Sequence, residues 1–264
     1  MVAFVFLFAF SSHAQTLFVS DIDDTVKLAN IKDISDSAIY AFDDESRFTG
    51  MNFLYNAIAQ DNSGLTIAYL SRAPEWFMKN THTRFLVNGQ FPQGHYIGRT
   101  NYSSEEHKLK TLRALLESIR PRKVILIGDN GEFDPDVYAQ IVNEYANQGI
   151  EFHQFIRIVY SETFFLNKAT ALQPGQVGFV TPAEIALELE KARLLSTTTV
   201  QALLEVVVKD ILKPRRKAQA VSFPFPEYVD CRDFKWQWDE SLASYPFLSA
   251  LKTRIENRCG TKVP

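Results

Sequence analysis

Thr16-Leu17-Phe18-Val19-Ser20-Asp21-Ile22-Asp23-Asp24-Thr25 is the stretch on which the reading of this chain turns. Its first half is short, apolar and rich in strand formers, which predicts a buried strand that delivers the acidic cluster at its carboxyl end. Chemistry in open α/β sheets gathers at such ends. Side chains two apart on extended backbone share a direction, so Asp21 and Asp23 repel one another unless a cation or a proton intervenes. A second apolar run, Val124-Ile125-Leu126-Ile127, ends at Gly128-Asp129, and Asp134 follows in the same loop. Four acids thereby converge on one hard cation, for which Mg²⁺ is the expectation. A solvated turn would explain one Asp-x-Asp alone, but not its repetition. An EF-hand beginning at Asp21 is excluded, because Val26 stands where that loop needs Gly and Lys32 where it needs Glu.

Between the two acidic loops lie Ser71, at the end of the apolar run from Thr66 to Leu70, and Lys108, opening an amphipathic stretch to Ile119. A hydroxyl at a strand end can donate to a phosphate oxygen, and a helix-borne lysine can neutralise charge on a transferring phosphoryl group. Each alone reads as an ordinary turn or surface residue. The order acid pair, Ser, Lys, acid pair points to phosphoryl transfer.

These residues resemble the four motifs of the haloacid dehalogenase superfamily: Asp21-x-Asp23-x-Thr25, Ser71, Lys108, and Gly128-Asp129 with Asp134. Gly50-Met51, Leu54-Tyr55, Phe91-Pro92-Gln93-Gly94, Arg99, the run Leu126 to Pro135 with Tyr138, and Ile156-Arg157 further resemble the catalytic domain of actin-patch phosphatidate phosphatases. The likeness runs from about residue 16 to 160. It departs at Ser71-Arg72-Ala73-Pro74, where that family typically has a second serine at the position of Ala73, and Trp76 sits one residue late. The resemblance implies a Rossmann-like three-layer α/β sandwich with a small flap or cap, in which Asp21 is the nucleophile and Asp23 the general acid and base. It implies Mg²⁺ held by Asp21, Asp129 and the backbone carbonyl of Asp23, with Asp134 binding through water or orienting the ligands, and Thr25 supporting the loop. Asp134 has a second reading, as the cap of a helix that continues through Pro135 to Glu144.

The expected substrate is phosphatidate or a similar membrane phospholipid; the alternatives are a phosphoprotein or a small phosphorylated metabolite, or an inactive scaffold that binds phospho-ligands. A net charge of −3 and a pI near 6.0 argue against nucleic acid. Length and a 46% hydrophobic content fit one packed α/β domain with additions. The division expected is a signal peptide over 1–14, a phosphatase domain over 15–212, and a linker with a cysteine-containing helical appendage over 213–264. Met1 to Phe10 is continuously apolar but too short to span a membrane, and Ser11 to Ala14 suits cleavage, so a periplasmic or secreted location is expected, otherwise a cytoplasmic one. Cys231 and Cys259 read either as one disulfide or as two unrelated buried thiols. The acid-rich insertion holding Asp33, Asp36, Asp43, Asp44 and Glu45 reads as a solvated flap, and Lys213 to Lys217 as a solvated basic linker. Phe223 to Pro226 reads as an extended connector, and a last helix is expected near Ser241 to Asn257.

Overall fold

The computed structural model describes residues 15–100, 103–163, 168–214 and 220–260. The expected signal peptide, and Arg215 to Lys217 of the basic run, lie outside the described residues. Six strands form one parallel sheet: β1 (Thr16–Ser20), β3 (Thr66–Pro74), β4 (His95–Arg99), β5 (Lys123–Asp129), β6 (Glu151–Arg157) and β7 (Gln176–Phe179), in the spatial order β4-β3-β1-β5-β6-β7. The chain enters at the centre, winds outward through β3 and β4, and returns to the other side of β1 at β5. That reversal opens a crevice at the carboxyl ends of β1 and β5, where the acidic clusters lie.

Period-two alternation sorts the side chains of these strands between two cores. Leu17, Val19, Val124 and Leu126 face the helices α4 (Ser104–Ile119) and α5 (Asp134–Tyr145), whereas Phe18, Ile125 and Ile127 face the opposite layer. That layer contains α2 (Met51–Asp61), α6 (Pro182–Lys191) and α7 (Thr197–Leu212). The sheet between two helical layers is the expected three-layer α/β sandwich.

Local chemistry starts these helices where the sequence indicates. Thr181 and Glu184 form a capping box with Pro182 at the first turn of α6, and Ser196 caps α7 by accepting from Thr199 N. The stripe Val200, Leu203, Leu204, Val207, Val208 and Ile211 is buried, as its spacing predicts. Gly50 opens α2 at φ +82°, and a Cβ there would lie 2.7 Å from Val207 Cγ1, so both backbone sign and close packing require glycine.

Four parts of the remaining chain differ in detail from the sequence reading. A short helix, α1 (Ile34–Tyr40), capped by Asp33, builds the flap, and α3 (Glu75–Asn88) follows β3. Ser222–Phe223 forms a two-residue strand, β8, parallel to β2 (Arg47–Phe48), rather than an unpaired connector. The last helix, α8, spans Leu248–Cys259, after a 3-10 turn at Asp239–Ala243. Pro246 separates the two, because proline disfavours helical backbone at the residue before it. Cys231 and Cys259 are bonded, with an S–S distance of 2.06 Å.

Candidate active site

Asp21 stands one residue beyond β1, its N–H donating to Ile127 O at 2.8 Å, which ties the first acidic loop to β5. Its Oδ1 accepts from Lys108 Nζ at 2.8 Å and its Oδ2 from Thr25 Oγ1 at 3.0 Å. Thr25 Oγ1 also lies 3.3 Å from Asp129 Oδ2, so this hydroxyl bridges the two acidic strand ends. Asp129 closes β5, and Gly131 N donates to its Oδ1 at 2.6 Å. Lys108 reaches from α4 to Asp134 Oδ1 as well.

Asp134 does not cap α5. Phe133 occupies the cap position without a side-chain bond, and Asp134 is the first helical residue. Its carboxylate turns back over Gly128, where a Cβ would lie 2.3 Å from Asp134 Oδ2. The glycine of Gly128-Asp129 is therefore a space requirement set by Asp134.

Ligand oxygens of Asp21, Asp129 and Asp134 lie within 4.8 Å of one another, and all three residues are buried. Lys108 pairs with Asp21 and Asp134 but not with Asp129, and Asp134 Oδ2 is buried with no hydrogen-bond partner. A missing positive charge is the simplest account of that orphaned atom. Burial pushes Asp21 up to about 7 against the pull of Lys108, with Asp134 adding to the rise. Burial and the neighbouring carboxylates Asp21 and Asp134 raise Asp129 well above the usual range, while the two acids it contacts raise Lys108. A divalent cation among the three would restore their ionised forms, so the donor set fits a metal.

The carboxylate of Asp23 lies outside this trio. It meets His82 Nε2 at 3.2 Å, and His82 Nδ1 lies 3.3 Å from Tyr96 Oη. Burial would raise Asp23, but the imidazole outweighs it and holds the acid at about 2. Asp23 keeps 21% of its side-chain exposure against 7% for Asp21, so it is the acid more open to solvent. His82 carried no motif in the sequence. It is 59 residues from Asp23 on a different element, and only a histidine on the buried face of α3 would have hinted at it.

Two further buried groups, Asp24 and Arg157, hold the first acidic loop. Asp24, at φ +57°, accepts from the N–H groups of Ala29, Asn30 and Ile31 and from the hydroxyls of Tyr160 and Tyr228. The Arg157 guanidinium lies between the rings of Phe48 and Phe179, at 4.0 and 4.5 Å from their centroids, and donates to Thr25 O and Val180 O. Burial lowers it to about 10.

A cleft of about 310 Å³ opens over Asp21, Asp23 and Asp129, walled by Tyr40, Arg72 and Phe77. Arg72 is paired with Glu132, yet its buried Nε has no hydrogen-bond partner, which leaves a cationic donor at the cleft. Ser71 and Lys108 are buried behind the lining residues. Ser71 lies within β3, and its Oγ accepts from Ala73 N at 3.1 Å. Trp238 is buried, Trp236 packs beside it at 5.5 Å, and neither lines the cleft.

Residues 16–153 match the family model described as phosphatidate phosphatase APP1, catalytic domain. The chain belongs to this family. The APP1 catalytic-domain family is one of phosphoric monoester hydrolases, and its matched span holds Asp21, Asp23, Ser71, Lys108, Asp129 and Asp134. An uncharacterized protein of Schizosaccharomyces pombe is 28% identical over 136 residues, covering 47% of this chain and 22% of that protein. The chain thus spans about a fifth of the length of that relative. No solved structure matches. Arg157, Tyr160 and Tyr228 lie beyond the matched residues, although they support the same loop.

Proposed function

We propose that the chain is a Mg²⁺-dependent phosphomonoesterase of the haloacid dehalogenase type, acting on phosphatidate or a similar phospholipid. The observation that carries this reading is Asp21 itself: a carboxylate at a strand end, fixed by Lys108 and Thr25, opening on a cleft and sharing a buried acidic trio. Asp21 attacks phosphorus, the bond to the alkoxide breaks, and an aspartyl-phosphate forms, which water then hydrolyses to free Asp21 and phosphate. Asp21, Asp129 and Asp134, with the Asp23 carbonyl, would hold Mg²⁺, which when bound would supply charge neutralisation for the phosphoryl oxygens. Lys108 orients Asp21 and opposes its protonation, and Arg72 offers a donor to the headgroup.

Asp23 is the group placed to give a proton to the leaving alkoxide and later to take one from the attacking water. Because His82 holds Asp23 ionised at neutral pH, the pair rather than the carboxyl alone carries that proton, along the Nε2 to carboxylate hydrogen bond. The apolar opening through Phe10 and the Cys231–Cys259 bond support a periplasmic or secreted location. Among the described residues no helix is long and apolar enough to cross a membrane.

The test is phosphate release from a soluble aryl phosphate and from phosphatidate in detergent, with Mg²⁺ or with chelator, for wild type and Asp21→Asn. The expected result is metal-dependent release that falls about a thousandfold or more in the variant, with the fold intact by circular dichroism. Undiminished turnover by Asp21→Asn would exclude it as nucleophile.

A further inference from the structure

The two segments that wall the cleft, α1 with the turn after it and the start of α3, carry five exposed large apolar side chains. Ile34, Ile39 and Phe42, on and just after α1, are 90%, 70% and 70% exposed, and Trp76 and Phe77 at the start of α3 are 87% and 44% exposed. The aromatic members are contiguous: Phe42 lies 5.8 Å from Phe77, and Phe77 5.6 Å from Trp76, between ring centroids. Phe77 also walls the cleft, so the apolar rim and the polar cleft form one surface.

Charges around this rim are occupied locally. Asp44 pairs with Arg84 and Glu75 with Lys79, each at 2.8 Å, while Asp33 caps α1 and Asp43 accepts from the N–H groups of Glu45 and Ser46. Five large apolar groups therefore stand in water with no basic patch beside them. Scattered exposed apolar residues need no explanation, but a contiguous group at the entrance of a site does.

We propose that this rim inserts into the interfacial zone of a lipid bilayer and so presents the phosphate of a lipid phosphomonoester to Asp21. The inference rests on the phosphomonoesterase reading above. The order of chemistry outward from Asp21, with carboxylates and a cation inside and aromatic and aliphatic side chains outside, matches an amphiphile with its phosphate inward and its acyl chains toward the rim. Tryptophan and phenylalanine are the side chains that settle at the headgroup boundary. A second copy of the chain seated on the rim would cover the cleft it surrounds. Without a basic patch, docking depends on apolar area and is insensitive to salt.

The experiment uses the full chain with phosphatidylcholine vesicles, with and without bromine on the acyl chains. Brominated vesicles are expected to quench tryptophan emission equally in wild type and Asp21→Asn, at low and high salt, with the quenched component absent in Trp76→Phe. The double variant Phe42→Ser/Trp76→Ser, which leaves Phe77 in the cleft wall, is expected to lose about tenfold or more of turnover on vesicle-borne phosphatidate. Its turnover of soluble aryl phosphate stays at the wild-type level. Absence of quenching, or equal loss on both substrates, overturns the proposal, as does a dimer that forms without quenching and dissociates in the double variant. Quenching in a protein with no aryl phosphatase activity would sink the catalytic reading and keep the docking surface; metal-dependent activity without quenching would do the reverse.

Discussion

Asp23 and His82 are the two residues whose pairing says most about how the site would work. A buried imidazole within hydrogen-bond reach of a carboxylate favours its ionised form, and the effect here exceeds the opposing cost of burial. Replacing His82 by Phe leaves only the weaker pull of Lys27 and Lys108 to oppose burial, so the acid's proton affinity rises and the acidic limb of the aryl phosphate pH profile moves to higher pH. Turnover at neutral pH should fall about a hundredfold, and His82→Gln, which keeps a donor, should recover part of it. Superimposable pH profiles for wild type and His82→Phe would remove His82 from the reaction. Asp21, Asp23 and Asp129 stood out because each sits at or near the end of an apolar run, and Lys108 because it opens an amphipathic stretch between the two acidic loops. His82 and Asp24 did not, since the side chains that meet them come from distant parts of the chain, and Arg157 was marked only by the likeness of Ile156-Arg157 to a family strand, with no hint of what it contacts.

Strand β5 and helix α5 meet at a contact that the residue types alone do not reveal. The sequence reading offered Asp134 as metal ligand or helix cap, and the structure excludes the cap because the carboxylate is folded back over Gly128 toward Lys108. Gly128→Ala should push Asp134 out of that position at a cost of about 1 to 3 kcal/mol, since the added methyl has no room. The diagnostic result is loss of the Mg²⁺-induced rise in melting temperature, with the α/β circular dichroism signal kept. An unchanged metal-induced shift would remove Asp134 from the metal site. Helix α7 was legible by contrast: one apolar stripe at helical spacing marked the segment and its buried face. The flap was half legible, because its acids predicted a solvated insertion while Ile34, Ile39 and Phe42 gave no periodic pattern to show where they would collect.

At the scale of the molecule, the C-terminal region reaches back to the catalytic loop. Phe223 pairs with Phe48 through β8 and β2, Asp230 N donates to Val159 O at 2.7 Å, and the Tyr228 hydroxyl lies 2.7 Å from Asp24 Oδ1 across 204 residues of sequence. The Cys231–Cys259 bond then closes a loop with a sequence separation of 28 around α8, which packs on α7. In the chain-entropy model such a loop contributes about 3 to 4 kcal/mol. Replacing both cysteines by serine should lower the free energy of urea unfolding by about that amount while leaving aryl phosphate turnover in place below the new midpoint; an unchanged midpoint would deny the bond a stabilising role. By itself the sequence determined the parallel α/β core, the two acidic strand ends and the lysine between them, because apolar runs, caps and strand-end acids are local signals that need no partner to be recognised. Tertiary structure alone decided which acid pairs with His82, why Gly128 has no side chain, which hydroxyls hold Asp24 and where the apolar flap meets Trp76, because each depends on groups that only folding brings within a few ångströms.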